Sequence, residues 1–204
     1  METCNVLLAG VGGHGVLALS RILAEGALTA GFDVRKSEVH GMSQRGGSVV
    51  SEVRYGDRVA SPLIPAGGVD VLLSLELLEA LRHLPRARPD ALVLVNDQRI
   101  TPAPTGAGPV VAYPADARRR LEAARPDARV IPAHGIAIDL GESRVANVVM
   151  LGAFSVLRPE IGPGTWEEMI RLAFRPSLRE VNLAAFARGR ALLATGPAGA
   201  TPAP

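Results

Sequence analysis

Gly10-Val11-Gly12-Gly13-His14-Gly15 fits the pattern G-x-G-x-x-G and stands directly after the apolar run Asn5-Val6-Leu7-Leu8-Ala9. Glycines at that spacing permit a tight turn. They let a phosphate, or a partner's backbone, approach the start of the following helix, where free N–H groups and the helix dipole favour an anion. Close packing of strand on helix demands the same glycines, and both readings stand. His14 lies within the turn, where it either touches a ligand or caps its own helix. A dinucleotide site would also need an acid at the end of the second strand, and Glu38 is roughly in place. The chain beyond Glu38 disfavours that site, because it enters a polar loop and returns as a strand where a dinucleotide half would continue into a helix.

That loop, His40-Gly41-Met42-Ser43-Gln44-Arg45-Gly46-Gly47, is the second chemical feature. The planar fork of Arg45 suits a carboxylate or phosphate, and Ser43 and Gln44 are donors for a carbonyl or phosphate. Gly46 and Gly47 would let a ligand or subunit press against backbone, although a well-bonded turn between strands accounts for the same residues.

Other chemistry has little support. Of the four histidines, no two share a metal-ligand spacing, so a metal site would have to assemble from distant residues. His83 falls near a helix end and His134 precedes Gly135 in a predicted loop. There is no G-x-S-x-G elbow and no phosphate-loop lysine, since the one lysine, Lys36, falls in a predicted strand. A single cysteine, Cys4, excludes a disulfide framework and a four-thiolate zinc or iron–sulfur site within this chain alone. The 22 basic and 20 acidic side chains nearly balance, and aromatics are only 3% of the residues. Scattered arginines with few stacking rings do not favour nucleic acid.

The elements that must position these groups form an α/β pattern. With 204 residues, 48% of them apolar, the chain can bury a substantial core, built mainly from Val, Leu, Ile and Ala. Residues 3–20 carry no acid or base except His14, but the glycines at 10–15 and the acidic Glu2 argue against a span or a signal peptide. A soluble, cytoplasmic protein is expected. The pattern predicts strands over 5–10, 32–39, 48–55, 69–73 and 91–95, and a helix over 16–30 in which Arg21 and Glu25 pair across one turn. The link 40–47 is too short for a right-handed crossover, so the strands on either side of it are expected to be antiparallel. Ser74 is placed as the N-cap of a helix ending at His83, a further strand over 109–113, and an Ala/Arg helix up to about Arg125. Arg129-Val130-Ile131-Pro132 reads as an edge strand and 145–157 as a buried helix. Thr165-x-x-Glu168 and Ser177-x-x-Glu180 resemble capping boxes opening two last helices. The expected fold is a single α/β domain: a mixed, mostly parallel sheet flanked by helices, with a Rossmann-like opening and one antiparallel strand pair. It spans residues 1–193, with a frayed tail over 194–204.

Several strings together resemble one family. They are Gly10 to Leu17, Ser37 to Val49, Ser61-Pro62-Leu63-Ile64, Asn147 to Gly152 and Glu180 to Gly189. They are similar to the gamma-type domain of the 2-oxoacid:ferredoxin oxidoreductases, and in particular to the beta subunits of those that act on indolepyruvate. The resemblance runs to about residue 193 and is most specific over Met42–Gly47; His14 departs from it, since the family usually has Gln there. It implies a role in oxidative decarboxylation of a 2-oxoacid, such as indolepyruvate or another aryl pyruvate, to an acyl-coenzyme A, with electrons passed to ferredoxin. Thiamine diphosphate, Mg²⁺ and [4Fe–4S] clusters are then expected on a large alpha subunit, and this chain is expected to bind none of them alone. Gly10, Gly12, Gly13, His14, Gly15, Ser43, Gln44, Arg45 and Gly46 become the candidate contacts with coenzyme A or with the partner, Arg45 foremost. No residue is assigned as acid, base or nucleophile. A second reading remains: a stand-alone protein that binds a nucleotide or coenzyme A through the glycine turn.

Overall fold

A computed structural model describes residues 1–40, 46–101 and 112–194. The expected tail from 195 onward, and Pro109–Val111 of the strand expected over 109–113, lie outside the described residues; Ala112 and Tyr113 are not in a strand. The elements in chain order are β1 (Cys4–Val11), α1 (Val16–Thr29), β2 (Asp33–His40), β3 (Ser48–Gly56), β4 (Val69–Ser74), α2 (Leu77–His83), β5 (Ala87–Asn96), α3 (Ala117–Ala124), β6 (Arg129–Ile131), α4 (Ala133–Asp139), α5 (Ala146–Leu157), α6 (Pro163–Ala173) and α7 (Pro176–Ala194).

One six-stranded sheet runs in the order β2-β3-β1-β4-β5-β6. The pairs β2/β3 and β3/β1 are antiparallel, while β1/β4, β4/β5 and β5/β6 are parallel. This is the mixed, mostly parallel α/β fold that the pattern predicts, including the antiparallel pair across the short loop. Burial explains the unbroken apolar run in β1. Val6 and Leu8 face one core with Leu19, Ile22, Leu23, Val148 and Trp166, whereas Leu7 and Ala9 face a second core with Leu77, Ala80 and Leu121. A central strand covered by helices on both faces has no solvent side, so it shows no alternation.

Four local expectations change. Ser74 ends β4, and the cap of α2 is Glu76, whose carboxylate accepts from the Glu79 N–H at 2.8 Å. The Ser74 hydroxyl instead donates to the Glu76 carbonyl at 2.7 Å. Thr165 and Ser177 lie inside α6 and α7, which begin at Pro163 and Pro176. A proline in the first turn lacks only an N–H that the helix does not use, and it outranks the hydroxyl-to-glutamate spacing here. His134 sits in the first turn of α4 rather than in a loop. β5 begins four residues early, at Ala87, because its polar start is held by Arg88, which bonds Asp70 at 2.8 Å.

Cys4 is 3% exposed at the start of β1, and burial pushes its thiol up to about 11. A thiol that stays protonated and shielded is a poor nucleophile. Native protein at pH 8 should therefore resist iodoacetamide and become alkylated only after unfolding in guanidinium, as intact mass would record. Ready alkylation of folded protein would contradict this burial.

Candidate functional site

β1 carries its chain to the rim of the sheet where β4, β5 and β6 also end, and there the backbone turns through Gly12–Gly15 into α1. The antiparallel register pairs Gly10 with Val49 and Val11 with Ser48, so the exit of the 40–47 loop reaches the same rim. The Gly12 N–H donates to the Gly47 carbonyl at 2.8 Å, and the Gly46 N–H donates to the Gly12 carbonyl at 3.4 Å. The glycine turn and the end of the polar loop are thus one structure. Of the sequence candidates, Gly10, Gly12, Gly13, His14, Gly15 and Gly46 come together in it, while Ser43, Gln44 and Arg45 lie outside the described residues.

The glycines serve different needs. A Cβ on Gly10 would stand 2.8 Å from Val16 Cγ2 and 3.2 Å from Leu75 Cβ, so this position is a strand–helix packing requirement. Gly15, the N-cap of α1, has φ +83° and a place for Cβ only 2.4 Å from Asn147 Nδ2. Among the described residues no side chain caps α1.

Two hollows flank the turn. On one side lies a cleft of about 420 Å³ lined by Val11, Gly12, Val16, Leu17 and Val49. It is largely apolar, and Leu17 at its mouth is 40% exposed. On the other side a crevice of about 320 Å³ is lined by the polar side chains of His14, Gln98, His134, Arg144 and Asn147 and by apolar surface that includes Leu75 and Phe174. Burial and the neighbouring His134 hold His14 below the ordinary imidazole range, while Glu76 opposes them. Asn96 organises the rim: its Nδ2 donates to the Leu75 carbonyl at 3.2 Å, and its Oδ1 accepts from the His134 N–H at 3.1 Å. Ser48, at the exit of the polar loop, donates to the Glu79 carboxylate at 2.5 Å, and burial raises Glu79 above the usual carboxylate range. Glu38, considered above as a ribose partner, is instead paired with Lys36 at 2.5 Å.

His134 and Asn147 were reachable only weakly from sequence, the latter as the one amide in a mostly apolar helix. The arrangement offers donors, a helix start and apolar walls. It can bind and orient a ligand, and the described residues contain no group of three His, Cys, Asp or Glu side chains suited to a metal. Iron–sulfur ligation does not fit this chain, whose one cysteine is buried in the core away from the turn.

The family model described as pyruvate ferredoxin/flavodoxin oxidoreductase matches residues 5–192. The chain belongs to this family. Its resemblance to the gamma-type domains is therefore borne out over nearly the whole length. Among curated relatives, the indolepyruvate oxidoreductase subunit IorB of Pyrococcus horikoshii is 36% identical over 193 residues, covering 93% of this chain and 95% of its own. The subunit of the same name from Archaeoglobus fulgidus is 39% identical over 188 residues, covering 91% and 92%. Among solved structures, a keto/oxoacid ferredoxin oxidoreductase gamma subunit from Geobacter sulfurreducens superposes with TM-score 0.67 at 23% identity, covering 91% of this chain and 95% of that one. A 2-oxoglutarate:ferredoxin oxidoreductase from Magnetococcus marinus, with 2-oxoglutarate, coenzyme A and succinyl-CoA bound, gives TM-score 0.71 at 21% identity, covering 94% of this chain and 31% of that larger one. These two likenesses establish the shared fold. Among the described residues no helix of this family member is long and apolar enough to cross a membrane.

Proposed function

We propose that this chain is the small subunit of a cytoplasmic 2-oxoacid:ferredoxin oxidoreductase that acts on indolepyruvate or a related aryl pyruvate. The reaction converts the 2-oxoacid and coenzyme A into acyl-coenzyme A and CO₂, and its two electrons go to ferredoxin. Thiamine diphosphate with Mg²⁺ and the [4Fe–4S] clusters belong to a large alpha subunit, which supplies the carbanion chemistry and the electron path. The observation that carries the reading is the 36–39% identity to indolepyruvate oxidoreductase subunits across more than nine-tenths of this chain and of each of those chains. The residue inventory agrees, since a chain with one buried cysteine leaves redox centres to a partner.

In this reading Gly10, Gly12, Gly13, His14, Gly15 and Gly46, with Ser43, Gln44 and Arg45 of the adjoining loop, face coenzyme A or the partner beside the active site. The joined turn and loop exit support one shared surface. Leu17, and Val39 on the otherwise polar edge strand β2, are exposed apolar side chains that a partner would cover.

Co-expression with the large subunit should yield a complex that reduces ferredoxin with indolepyruvate only when coenzyme A is present. Arg45→Ala should keep the complex assembled and lower kcat/KM for coenzyme A about tenfold, the scale of one charge-assisted hydrogen bond. A lone, stable chain that binds nucleotide and never captures a thiamine diphosphate subunit would replace this reading with that of a stand-alone binding protein. Wild-type kinetics in an intact Arg45→Ala complex would remove Arg45 from the ligand, and failed assembly would assign the loop to the subunit interface.

A further inference from the structure

Glu79 is a buried carboxylate that its own helix does not require. It is 4% exposed in α2, three residues after the cap Glu76, a place from which a glutamate usually reaches back to the N–H of the cap residue. Here that N–H is met by the Ser74 hydroxyl at 3.4 Å, and the Glu79 carboxylate turns to β3 instead. Its Oε2 accepts from the Ser48 hydroxyl at 2.5 Å and its Oε1 from Arg82 at 2.6 Å. An apolar side chain of similar size would fill the place at lower cost than a desolvated charge. What the carboxylate gains is a hold on the junction of loop and strand. Ser48 opens β3 in register with Val11, and the residue before it, Gly47, offers the carbonyl that accepts the Gly12 N–H at 2.8 Å. The β1/β3 ladder uses only backbone groups, so the bond from Ser48 to α2 is a constraint that the ladder does not supply.

We propose that Glu79 is a positioning residue: through Ser48 it holds the Gly47 carbonyl on the Gly12 N–H, and so sets the place of the glycine turn and of the loop exit relative to α2. Glu79 acts through Ser48 and not on a substrate. The consequence for turnover rests on the subunit reading, whereas the local hold does not.

The hold depends on the charge of Glu79. Burial keeps its carboxyl above the usual carboxylate range, while the Ser48 bond and Arg82 favour the ionised form and Glu76 opposes it. Because Ser48 donates to the charged form, its bond and proton uptake by Glu79 compete. His83, one turn further along α2, has its Nε2 buried 3.8 Å from Glu79 Oε2 and without a hydrogen-bond partner among the described residues. Burial, with Arg86 and Arg82, holds it below the ordinary imidazole range, and Glu52 of β3 opposes them. Tyr113 bonds Glu76 at 2.5 Å, and β1, β4, β5 and α3 meet α2 with Leu7, Leu72, Val93 and Leu121. A proton on either member of the pair loosens Ser48: on Glu79 it weakens the acceptor, and on His83 it draws Oε2 away. The hold is therefore complete at about pH 7 and above, and weakens as pH falls.

Amide hydrogen exchange of the full chain, followed residue by residue by NMR, separates a local hold from general stability. Ser48→Ala should lower the protection of the Gly12 amide about tenfold, the scale of one charge-assisted hydrogen bond, and leave Leu8, in the middle of β1, within about twofold. Ser48→Thr restores the hydroxyl and should recover Gly12. Glu79→Gln keeps the shape without the charge, and its Gly12 protection should fall about fivefold. Between about pH 7.5 and pH 5.5, corrected for intrinsic exchange, Gly12 should lose about threefold in the wild type and nothing further in Ser48→Ala. Equal losses at Gly12 and Leu8, an unchanged Gly12 in Ser48→Ala, or the same pH dependence in both proteins would overturn the proposal. In the assembled complex Ser48→Ala should lower kcat with indolepyruvate about tenfold, with Ser48→Thr within about twofold of wild type. A complex that turns over normally although Gly12 has lost protection would sink the role in the reaction and leave the subunit reading intact. The local loss in a chain that never captures a large subunit would support the hold and sink that reading.

Discussion

Gly189→Ala should melt about 10 °C below the wild-type protein, a loss of about 3 kcal/mol on a chain of this size. The reason is a crossing of α5 and α7 so close that backbone meets backbone. A Cβ on Gly189 would lie 1.9 Å from the Val149 carbonyl oxygen and 2.8 Å from its carbon. From the other helix, a Cβ on Gly152 would lie 2.2 Å from the Phe186 carbonyl oxygen and 2.9 Å from the Arg190 nitrogen. Flexible side chains can step aside, but these atoms move only if the helices separate. Separation would open the core around Phe154, Trp166 and Phe186, all fully buried or nearly so. It would also displace α5, which brings Asn147 to the glycine turn. Gly164→Ala is the matched control: it lies in α6 with nothing within 4 Å of its Cβ position, so it should be neutral or slightly stabilising. Scanning calorimetry of the two variants decides the matter, and a Gly189→Ala melting point within about 2 °C of wild type would refute the close crossing.

How much of this was legible in sequence depended on whether the cause was local. The turn at Gly12–Gly15 could be placed because a buried apolar strand leads into it and an amphipathic helix begins immediately after. The antiparallel β2/β3 pair came from loop length alone, since residues 40–47 cannot cross over a sheet. Helix starts were less accessible. Hydroxyl-to-glutamate spacing pointed to Thr165 and Ser177, but the fixed φ of Pro163 and Pro176 began both helices earlier. α4 was hidden by its own Gly135, because its burial comes from Ala133, Ile136 and Ala137 packing into a core formed by distant elements. The crevice was the least legible part. His134 and Asn147 reach the turn from more than 100 residues away, and each looked ordinary in its own stretch of chain. Asn147 becomes conspicuous only when its Nδ2 is seen to be spent on Gly15 and its Oδ1 on no partner among the described residues.

Gly15→Ala tests that long-range link directly, and it should be the most damaging single-methyl change in the site. Two costs add. The position has φ +83°, a left-handed conformation that costs a residue with a Cβ roughly 1–2 kcal/mol. The new methyl would also come within 2.4 Å of Asn147 Nδ2, forcing that side chain off the Gly15 carbonyl and leaving a buried amide unsatisfied, for about 1–3 kcal/mol more. Gly13→Ala separates the terms: its φ is +95° but its Cβ would have nothing within 4 Å, so only the backbone cost applies. Gly15→Ala should therefore lose about twice as much stability as Gly13→Ala in urea unfolding. In the assembled complex it should reduce turnover about tenfold or more, because it moves both the start of α1 and the wall of the crevice. The decisive measurement is a double-mutant cycle with Asn147→Ala. Once Asn147 is truncated, the methyl on Gly15 has space, so the double variant should be more stable than the sum of the two single losses by about 1 kcal/mol. Strict additivity would mean that residues 15 and 147 do not touch. The turn into α1 would then be held without help from α5.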